Sequence, residues 1–530
     1  MNTKQFFEKL KGNATHHLEF YKEGAKHKKS FGQMYADIVR TYGYLRKLGL
    51  KRRDRVGIMG ENSYEWILLD LACFYGGYVS VAFHNNKFES EIDTIVDKYQ
   101  LRVLFVNKAP AGGDDNTFTF SQLEHYLKDF EGSDAGPAEE NRDLIGRDEI
   151  FTIYFTSGTT AFPKAMGMTM KSCANFIETG NKLIEMNARD KVILFLPFSA
   201  VLERIYVYAS LMVGFDMILV PTENVMKSLK QDKPTVLLGV PYLFENVYRV
   251  FWQNVKGSLW KTLVVHAYFL LKKAIPAKVD QKIQAAIFGK IINFWGGKMR
   301  LMITGAAPIN KKVLKFYNDI GIVLLEAYGL TETGLIGLNT PAQHKLGSVG
   351  KPFPNKEVRI EENGQIVVKG DYFFSSGYGY LDADASDRDK FRKDGFFETG
   401  DVGFIDKDGF LHITGRLKEM IVLSNGKKVH PHTIEEKINQ SHLIRQSVVF
   451  GDQKPFLTAV VVKETPGADE DTIRKEIKKL NEGLPDHLKI KDVVVSDQAF
   501  SRENRLLTDI MKLNRKEIHK TYERALNELY

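Results

Sequence analysis

The sequence predicts an α/β protein with a large N-terminal domain and a small C-terminal α+β domain. In the first half, helix-like segments near 31–48 and 63–75 alternate with apolar strands such as R-V-G-I-M and Y-V-S-V-A-F. This alternation favours parallel or mixed sheets with flanking helices. After about Lys369, Gly- and Asp-rich turns separate short segments, and the D-K-D-G turn at 406–409 is typical of a β-hairpin. We expect that region to form a β-barrel-like part of the large domain.

The expected domain boundary lies near Arg416. Beyond it, the pattern predicts a helix at 432–439, the strands S-V-V-F and L-T-A-V-V-V, and a charged helix at about 470–481. The predicted domains are therefore residues 1–415 and residues 416–530.

Composition is typical of a globular chain and excludes a disordered or fibrous one. The 530 residues are 43% hydrophobic and 26% charged, which leaves room for more than one core. The first residues, M-N-T-K-Q-F-F-E-K-L-K-G, lack the apolar segment of a signal peptide. The most apolar stretches contain Asp70 and Asp216, so we predict no transmembrane helix. Cys73 and Cys173 lack metal-ligand spacing and are predicted to be buried thiols in a cytoplasmic protein.

Positive charge is concentrated between Arg249 and Arg300. This stretch has ten Lys or Arg residues against the single acid Asp280, while the whole chain carries a net charge of +8. It also contains three of the four tryptophans, Trp252, Trp260 and Trp295. One interpretation is a surface that lies on anionic lipid at the inner face of a membrane. The other is a solvated helical insertion with some aromatic packing. Nucleic acid is not expected as a partner, because no recognised binding motif accompanies the charge.

A loop rich in hydroxyl groups follows the apolar run I-F-T-I-Y-F at 150–155, which is predicted to be a buried strand. Hydroxyls, a glycine that permits close backbone approach and a lysine charge suit a polyphosphate, and they come from Ser157, Gly158, Thr159, Thr160 and Lys164. The Walker spacing is absent, and A-M-G-M-T-M after the lysine alternates like a strand. The alternative is a Ser/Thr-rich surface turn.

The loop T-S-G-T-T-A-F-P-K resembles the T-S-G-T-T-G-x-P-K signature of the adenylate-forming superfamily, which includes acyl-CoA synthetases, luciferases and peptide-synthetase adenylation domains. Four further stretches match that family in order: I-T-G-A-A-P-I at 303–309, L-E-A-Y-G-L-T-E-T at 325–333, F-F-E-T-G-D at 396–401, and G-R-L-K-E-M-I-V-L-S-N-G at 415–426. E-N-R-L-L-T-D-I-M-K-L-N-R at 503–515 is similar to the C-terminal signature of the long-chain fatty acid branch. The resemblance spans essentially the whole chain.

The resemblance implies ATP-dependent activation of a fatty acid through an acyl-adenylate, followed by transfer to CoA. Tyr328 offers a flat face on which adenine can stack, Asp401 can accept hydrogen bonds from the ribose hydroxyls, and Arg416 can add a donor to ribose or phosphate. The small residues that would let backbone approach the base, and the remaining nucleotide-binding positions, are Gly305, Ala306, Ala307, Gly329 and Thr331.

The resemblance also assigns metal, catalytic and hinge positions. Thr156 and Glu332 match the magnesium-side positions, where oxygen ligands suit a hard cation that bridges phosphates. Lys512 matches the catalytic lysine, which stabilises charge as the acyl carboxylate attacks the α-phosphate. The small domain is expected to be mobile and to rotate between the two half-reactions about Lys418, bringing Gly426 beside the pantetheine of CoA.

The signature at 503–515, together with L-P-F-S-A-V-L-E-R-I-Y at 196–206, resembles long-chain synthetases, and this resemblance implies a medium or long fatty acid. The chain departs from the family pattern in four places: Ala161 and Ala165 replace the usual glycines, Ala200 replaces a histidine, and Tyr242 replaces an arginine. Three hypotheses follow. The first is a fatty acid:CoA ligase. The second is an enzyme that passes the acyl group to a carrier-protein phosphopantetheine or another nucleophile, and the third is a weakened acyl- or nucleotide-binding protein at a membrane.

Overall fold

The computed structural model describes residues 3–84, 91–108, 116–129, 145–156, 164–371, 373, 379–381, 390–464, 469–508 and 512–530. The helices of eight or more residues, together with the short first helix, are α1 Thr3–Glu8, α2 Phe31–Lys47, α3 Tyr64–Gly76, α4 Ile92–Tyr99, α5 Phe120–Asp129, α6 Met170–Ile184, α7 Val201–Ala209, α8 Val225–Asp232, α9 Pro241–Lys256, α10 Leu259–Leu271, α11 Ala277–Phe294, α12 Lys311–Asp319, α13 Pro431–Ile438, α14 Glu470–Leu480 and α15 Arg515–Asn527.

The strands of the two large sheets are β1 His17–Lys22, β2 Ala25–Ser30, β3 Arg55–Met59, β4 Val79–Ala82, β5 Leu101–Val106, β6 Thr117–Thr119, β7 Ile150–Phe155, β8 Ala165–Thr169, β9 Lys191–Leu194, β10 Asp216–Leu219, β11 Val236–Gly239, β12 Leu301–Thr304, β13 Leu324–Leu330, β14 Gly334–Leu338 and β15 Lys351–Pro352. The strands that follow are β16 Lys356–Ile360, β17 Gln365–Gly370, β18 Phe397–Ile405, β19 Leu411–Arg416, β20 Ile421–Val422, β21 Lys428–Val429, β22 Ile444–Phe450, β23 Leu457–Lys463 and β24 Ile490–Ser496.

Two mixed sheets form the body of the large domain. One has six strands in the order β6-β5-β3-β4-β7-β8, and the other has nine in the order β15-β14-β13-β12-β11-β9-β10-β1-β2. Their central strands are parallel, and their residues are almost entirely buried because helices cover both faces. The predicted α/β class is therefore confirmed.

A buried polar network fixes the six-stranded sheet to α7. The carboxylate of Asp70 on α3 accepts hydrogen bonds from Ser80 on β4 and from Arg204 and Tyr208 on α7, and Arg204 also donates to Thr152 on β7 over 2.7 Å. If either Asp70 or Arg204 were separated from the other, a buried charge would be left without a partner, which is costly. The network therefore fixes α7 relative to α3, β4 and β7.

The strands after β15 have a different character, as the turns in the sequence predict. Strands β16 to β19 form a four-stranded antiparallel sheet, and β18 and β19 are joined through the D-K-D-G turn, in which Asp406 N donates to Phe410 O. This sheet corresponds to the expected β-barrel-like part, and no strand pairing closes it within the described residues.

The C-terminal segment has its own core. Strands β22, β23 and β24 form a three-stranded sheet, and α13 and α14 pack on it through residues such as Ile434, Ile473 and Ile477. The helices predicted at 432–439 and 470–481 agree with α13 and α14 to within one residue at each end.

The basic stretch 249–300 contains α10, α11 and the end of α9. Two of its three tryptophans pack inward: Trp295 is fully buried against Phe244, and Trp252 lies in an aromatic cluster. Trp260 is 74% exposed on α10. None of the helices described here combines the length and the apolar character that crossing a membrane would require.

Candidate active site

Tyr328, Asp401 and Arg416 form one connected group. The hydroxyl of Tyr328 donates to Asp401 Oδ2 over 2.6 Å, and Arg416 Nε lies 2.9 Å from the other carboxylate oxygen. Burial, and secondly the Asp401 charge, raise the pKa of Tyr328 well above its usual value, so the phenol stays protonated and keeps donating. A carboxylate has about four lone-pair directions, so Asp401 can still accept hydrogen bonds from a diol while both protein contacts remain.

A β-bulge and a glycine position Tyr328 at this point. The β13–β14 register shifts between Tyr328 and Gly329, and such a bulge changes the direction in which a side chain points. A Cβ on Gly329 would lie only 2.5 Å from Gly334 O, so a larger residue would displace the β14 strand. Thr331, two residues further on, accepts a hydrogen bond at its carbonyl from Tyr154 on β7. This contact ties the end of β13 to the six-stranded sheet.

The segment Gly305–Ala307 runs close to the same part of β13. A Cβ on Gly305 would be 3.0 Å from Ala327 O, next to Tyr328. Ala306 has φ = +66°, the left-handed region that alanine seldom adopts. This segment therefore runs beside the Tyr328 group with little room for larger side chains at Gly305, and its nucleotide-binding role stays a prediction.

Lys512 lies in the electrostatic field of that group. Burial lowers its pKa, Arg416 lowers it further, and Asp401 and Glu419 raise it. The loop that carries Lys512 is closed by two hydrogen bonds with Thr508, from Thr508 N to Lys512 O and from Lys512 N to Thr508 Oγ1. Arg515 Nε, three residues after Lys512, lies 3.5 Å from the Glu419 carboxylate in the turn that follows Arg416. This ion pair brings the segment with the predicted catalytic lysine to the predicted nucleotide residues.

A second group contains the predicted metal-side and phosphate residues. The hydroxyl of Tyr380 donates to Glu332 Oε1 over 2.6 Å, and the Lys164 ammonium lies 5.3 Å from the centre of the Tyr380 ring. Thr156 and Lys164 share two hydrogen bonds: Thr156 N donates to Lys164 O, and Lys164 N donates to the Thr156 hydroxyl oxygen. Thr156, Lys164 and Glu332 are therefore linked through Tyr380.

Tyr380 is a site residue that the sequence did not reveal. It belongs to no recognised motif, and its link to Glu332 joins positions 48 residues apart. Backbone contacts explain its placement. Tyr380 forms an isolated antiparallel β-bridge with Met166 on β8, and Leu381 N donates a hydrogen bond to Ala165 O at the start of the same strand. Only the through-space pairing identifies it.

Several predicted positions are not brought into these groups. Lys418 lies in a short turn directly after Arg416. Gly426 has φ = +78° in the β20–β21 hairpin, where an added Cβ would meet no atom within 4 Å. The predicted phosphate-loop residues Ser157, Gly158, Thr159 and Thr160, and the departure Ala161, lie outside the described residues.

Family models match both parts of the chain. A model described as AMP-binding enzyme matches residues 8–378. The chain belongs to the AMP-binding enzyme family. A second model, described as the AMP-binding enzyme C-terminal domain, matches residues 418–530.

Curated relatives of this AMP-binding enzyme are similar along most of its length. The long-chain-fatty-acid–CoA ligase FadD15 of Mycobacterium bovis is 29% identical over an alignment that covers 91% of this chain and 89% of that protein. Long-chain-fatty-acid–CoA ligase 1 of Cavia porcellus is 29% identical and covers 90% of this chain and 78% of that protein.

Solved structures share the fold. ATP-bound MatB from Rhodopseudomonas palustris superposes with a TM-score of 0.76 at 23% identity, covering 98% of this chain and 99% of that one. The anthranilate CoA ligase AuaEII in complex with anthranoyl-AMP gives a TM-score of 0.77 at 16% identity, covering 98% and 97%. These two likenesses agree with a large sheet domain followed by a small C-terminal domain.

Proposed function

We propose that this AMP-binding enzyme is a fatty acid:CoA ligase that activates a medium or long fatty acid with ATP and transfers it to CoA. The observation that carries the proposal is the contact group of Tyr328, Asp401 and Arg416. An ion pair between Arg515 and Glu419 fixes the segment that carries Lys512 beside this group. The names of the relatives that match about nine-tenths of the chain supply the substrate class.

At the nucleotide end, the Tyr328 ring provides an apolar face for adenine and the Asp401 carboxylate accepts from the two ribose hydroxyls. Arg416 is half exposed and reaches from Asp401 towards solvent, so its guanidinium can also donate to a phosphate. Lys164, with Ser157, Gly158, Thr159 and Thr160, is proposed to hold the β- and γ-phosphates.

In the first half-reaction, a carboxylate oxygen of the fatty acid attacks the α-phosphorus and forms an O–P bond. The bond from that phosphorus to the bridging oxygen breaks, and pyrophosphate leaves. Negative charge grows on the equatorial phosphate oxygens, and the Lys512 ammonium is proposed to stabilise it. Its partly buried position makes that charge more effective than it would be in water.

Magnesium fits the oxygen donors at this site. The Glu332 carboxylate and the Thr156 hydroxyl are hard ligands, and Mg²⁺ usually adds waters and substrate phosphates to one or two protein oxygens. When bound, the ion would neutralise part of the triphosphate charge. Tyr380, which donates to Glu332, would orient the carboxylate for this purpose.

In the second half-reaction, a thiol sulfur attacks the carbonyl carbon of the acyl-adenylate. A thioester forms, the bond to the AMP oxygen breaks, and the thiol gives up its proton. The proposed domains are residues 1–415 and 416–530, and we infer that the small one turns about Lys418 to replace Lys512 by the segment around Gly426. The open space around Gly426 would accommodate a pantetheine arm.

The acceptor distinguishes the leading proposal from its alternatives. A carrier-protein phosphopantetheine presents the same thiol on a protein, and a weakened binding protein would hold ATP without forming adenylate. Retention of Lys512, Asp401, Arg416 and Glu332 favours an active enzyme over the last alternative.

We also propose that α10 contacts anionic membranes, from which a long-chain substrate could enter. Five large apolar side chains are exposed on this helix: Leu259, Trp260, Leu263, Leu270 and Leu271. Exposed lysines flank them at positions 256, 261 and 273. Large apolar side chains beside basic ones match the chemistry of an anionic lipid surface.

The ligase proposal is tested by incubating the protein with ATP, magnesium, CoA and octanoate, palmitate or stearate, and identifying products by mass spectrometry. We expect acyl-CoA, AMP and pyrophosphate in equal amounts. Adenylate without thioester, together with acyl transfer to a phosphopantetheinylated carrier protein, would move the proposal to the second acceptor.

The membrane contact is tested by sedimentation with vesicles of phosphatidylcholine alone or mixed with phosphatidylglycerol. We expect binding to the anionic vesicles, lost in Trp260→Ser/Leu270→Ser and retained in Met226→Ser, a change at an exposed apolar residue on another helix. Equal binding of the α10 variant and the unmodified protein would contradict the proposal.

A further inference from the structure

His84 and Ser199 come from different sheets and meet at a hydrogen bond. The His84 Nδ1 and Ser199 Oγ atoms are 2.7 Å apart. His84 follows β4 of the six-stranded sheet, and Ser199 follows β9 of the nine-stranded sheet. Ligands in open α/β sheets bind in crevices outside the carboxyl ends of the strands, which is where both residues lie.

The strand register places His84 beside Thr156. Strands β4 and β7 are parallel, with Ser80 opposite Thr152 and Val81 opposite Ile153. The same offset continued for three residues aligns His84 with Thr156, and adjacent strands are about 4.8 Å apart. Phe83 directly precedes His84, and Phe155 directly precedes Thr156. Their rings stack with centroids 5.1 Å apart, so the pairing of the two segments continues past the end of β4.

The loop that presents Ser199 is held from both sides. On one side, Glu203 Oε1 accepts hydrogen bonds from Phe195 N and Leu196 N, over 2.6 and 3.0 Å. On the other, Asn62 donates to Leu196 O and accepts from Phe198 N, over 2.7 and 2.8 Å. Ser199 is itself buried. Its hydroxyl therefore occupies a defined position and can fix the orientation of an imidazole.

The residue that follows Ser199 in this loop has a small side chain. Ala200, directly after Ser199, is the position at which the family resemblance leads one to expect a histidine. Alanine leaves the space in front of α7 without an imidazole from that loop, and the His84 ring reaches the loop from the opposite sheet.

We propose that His84, oriented by Ser199, contacts the reacting carboxyl group of the fatty acid and aligns it with the α-phosphate. An imidazole can donate a hydrogen bond to a carboxylate oxygen, and its place beside Thr156 puts it at the phosphate side of the site. The inference deepens the proposed function and rests on it for the identity of the substrate.

The kinetic test compares His84→Ala, Ser199→Ala and the double variant His84→Ala/Ala200→His in ATP–pyrophosphate exchange with palmitate. His125→Ala is the matched control, because that exposed histidine on α5 bonds only to the backbone of its own helix among the contacts seen. Loss of alignment should lower kcat/KM for palmitate about 10- to 100-fold in His84→Ala and by less in Ser199→Ala. KM for ATP should change less than about twofold, and Ala200→His should restore part of the loss.

A binding measurement separates this inference from the ligase proposal. Calorimetric titration with a non-reactive palmitoyl-sulfamoyl adenosine needs no turnover and should show weaker binding to His84→Ala, even if the unmodified protein transfers nothing to CoA. Unchanged kcat/KM and unchanged analogue affinity in folded His84→Ala would overturn the inference, as would an equal loss for ATP. If His84→Ala does not fold, the Ser199→Ala variant decides the question. An unchanged kcat/KM for palmitate in that variant would then overturn the inference.

Discussion

At the residue scale, the candidate site is organised around one buried carboxylate, that of Asp401. Asp401 is 3% exposed and contacts both Tyr328 and Arg416. The sequence predicted separate roles for these three residues. Their mutual hydrogen bonds follow from the bulge at Tyr328 and the β18–β19 pairing of Asp401 with Arg416, which no local pattern specifies.

Replacing Tyr328 with phenylalanine separates its two roles. The aromatic face remains, but buried Asp401 loses a donor, and such a loss costs about 1–3 kcal/mol of the free energy of unfolding. We expect a lower denaturation midpoint and a KM for ATP raised several-fold, with little change in KM for the fatty acid. Chemical denaturation and steady-state kinetics measure these effects, and unchanged stability would contradict the role of the hydrogen bond.

The pH dependence of adenylation should reveal the environment of Lys512. Its pKa is lowered by burial and by Arg416, so the ammonium is lost at a lower pH than that of an ordinary lysine. We expect single-turnover adenylation to fall as pH rises through that lowered pKa. Arg416→Gln removes a neighbouring cation and should move the falling limb to higher pH, whatever its effect on absolute rate. A limb that stays in place or moves lower would contradict this explanation.

At the element scale, the N-terminal end of α12 holds the C-terminal segment in the orientation seen here. Lys311 Nζ lies 3.3 Å from Glu436, Lys312 Nζ donates to Gln440 O, and Asn310 donates to Asn439 O. These contacts lie at the C-terminal end of α13, where the negative end of the helix dipole stabilises cations. The same orientation keeps Lys512 near Asp401 and Arg416.

Weakening these contacts should affect the two half-reactions differently. Lys311→Ala/Lys312→Ala should reduce ATP–pyrophosphate exchange several-fold, because the orientation that places Lys512 becomes less populated. Thioester formation from preformed acyl-adenylate should be unchanged or faster. Lys315→Ala is the control, since Lys315 pairs with Asp319 within α12. Equal losses in both half-reactions would contradict the expectation.

At the scale of the whole molecule, ordered motifs and hydrophobic periodicity predicted the α/β class and the elements near the site. The strand I-F-T-I-Y-F, the hairpin at 406–409 and the C-terminal helices all appear where the sequence predicts them. Patterns of period two or 3.6 are local, and these elements depend on local spacing. Two tryptophans of the basic stretch pack inward. Trp252 packs on Phe316, and Trp295 packs on Phe244 and Tyr317.

The contacts that the sequence did not predict all join distant segments. Tyr380 with Glu332, His84 with Ser199 and Asp70 with Arg204 are separated by 48, 115 and 134 residues. Each depends on how the two large sheets and the loops between them are arranged. A single sequence contains no signal for such pairs, so three-dimensional placement was needed to find them.

The measurement that tests the central claim most directly is product analysis with CoA omitted. Incubation with ATP, magnesium and palmitate should give palmitoyl-adenylate and pyrophosphate in equal amounts, detected by mass spectrometry after acid quench. Lys512→Ala should lower the rate about 10²- to 10³-fold, while Lys520→Ala, a change at an exposed lysine of α15, should match the unmodified protein. Formation of ADP and phosphate instead, or adenylate formation that does not depend on Lys512, would contradict the account.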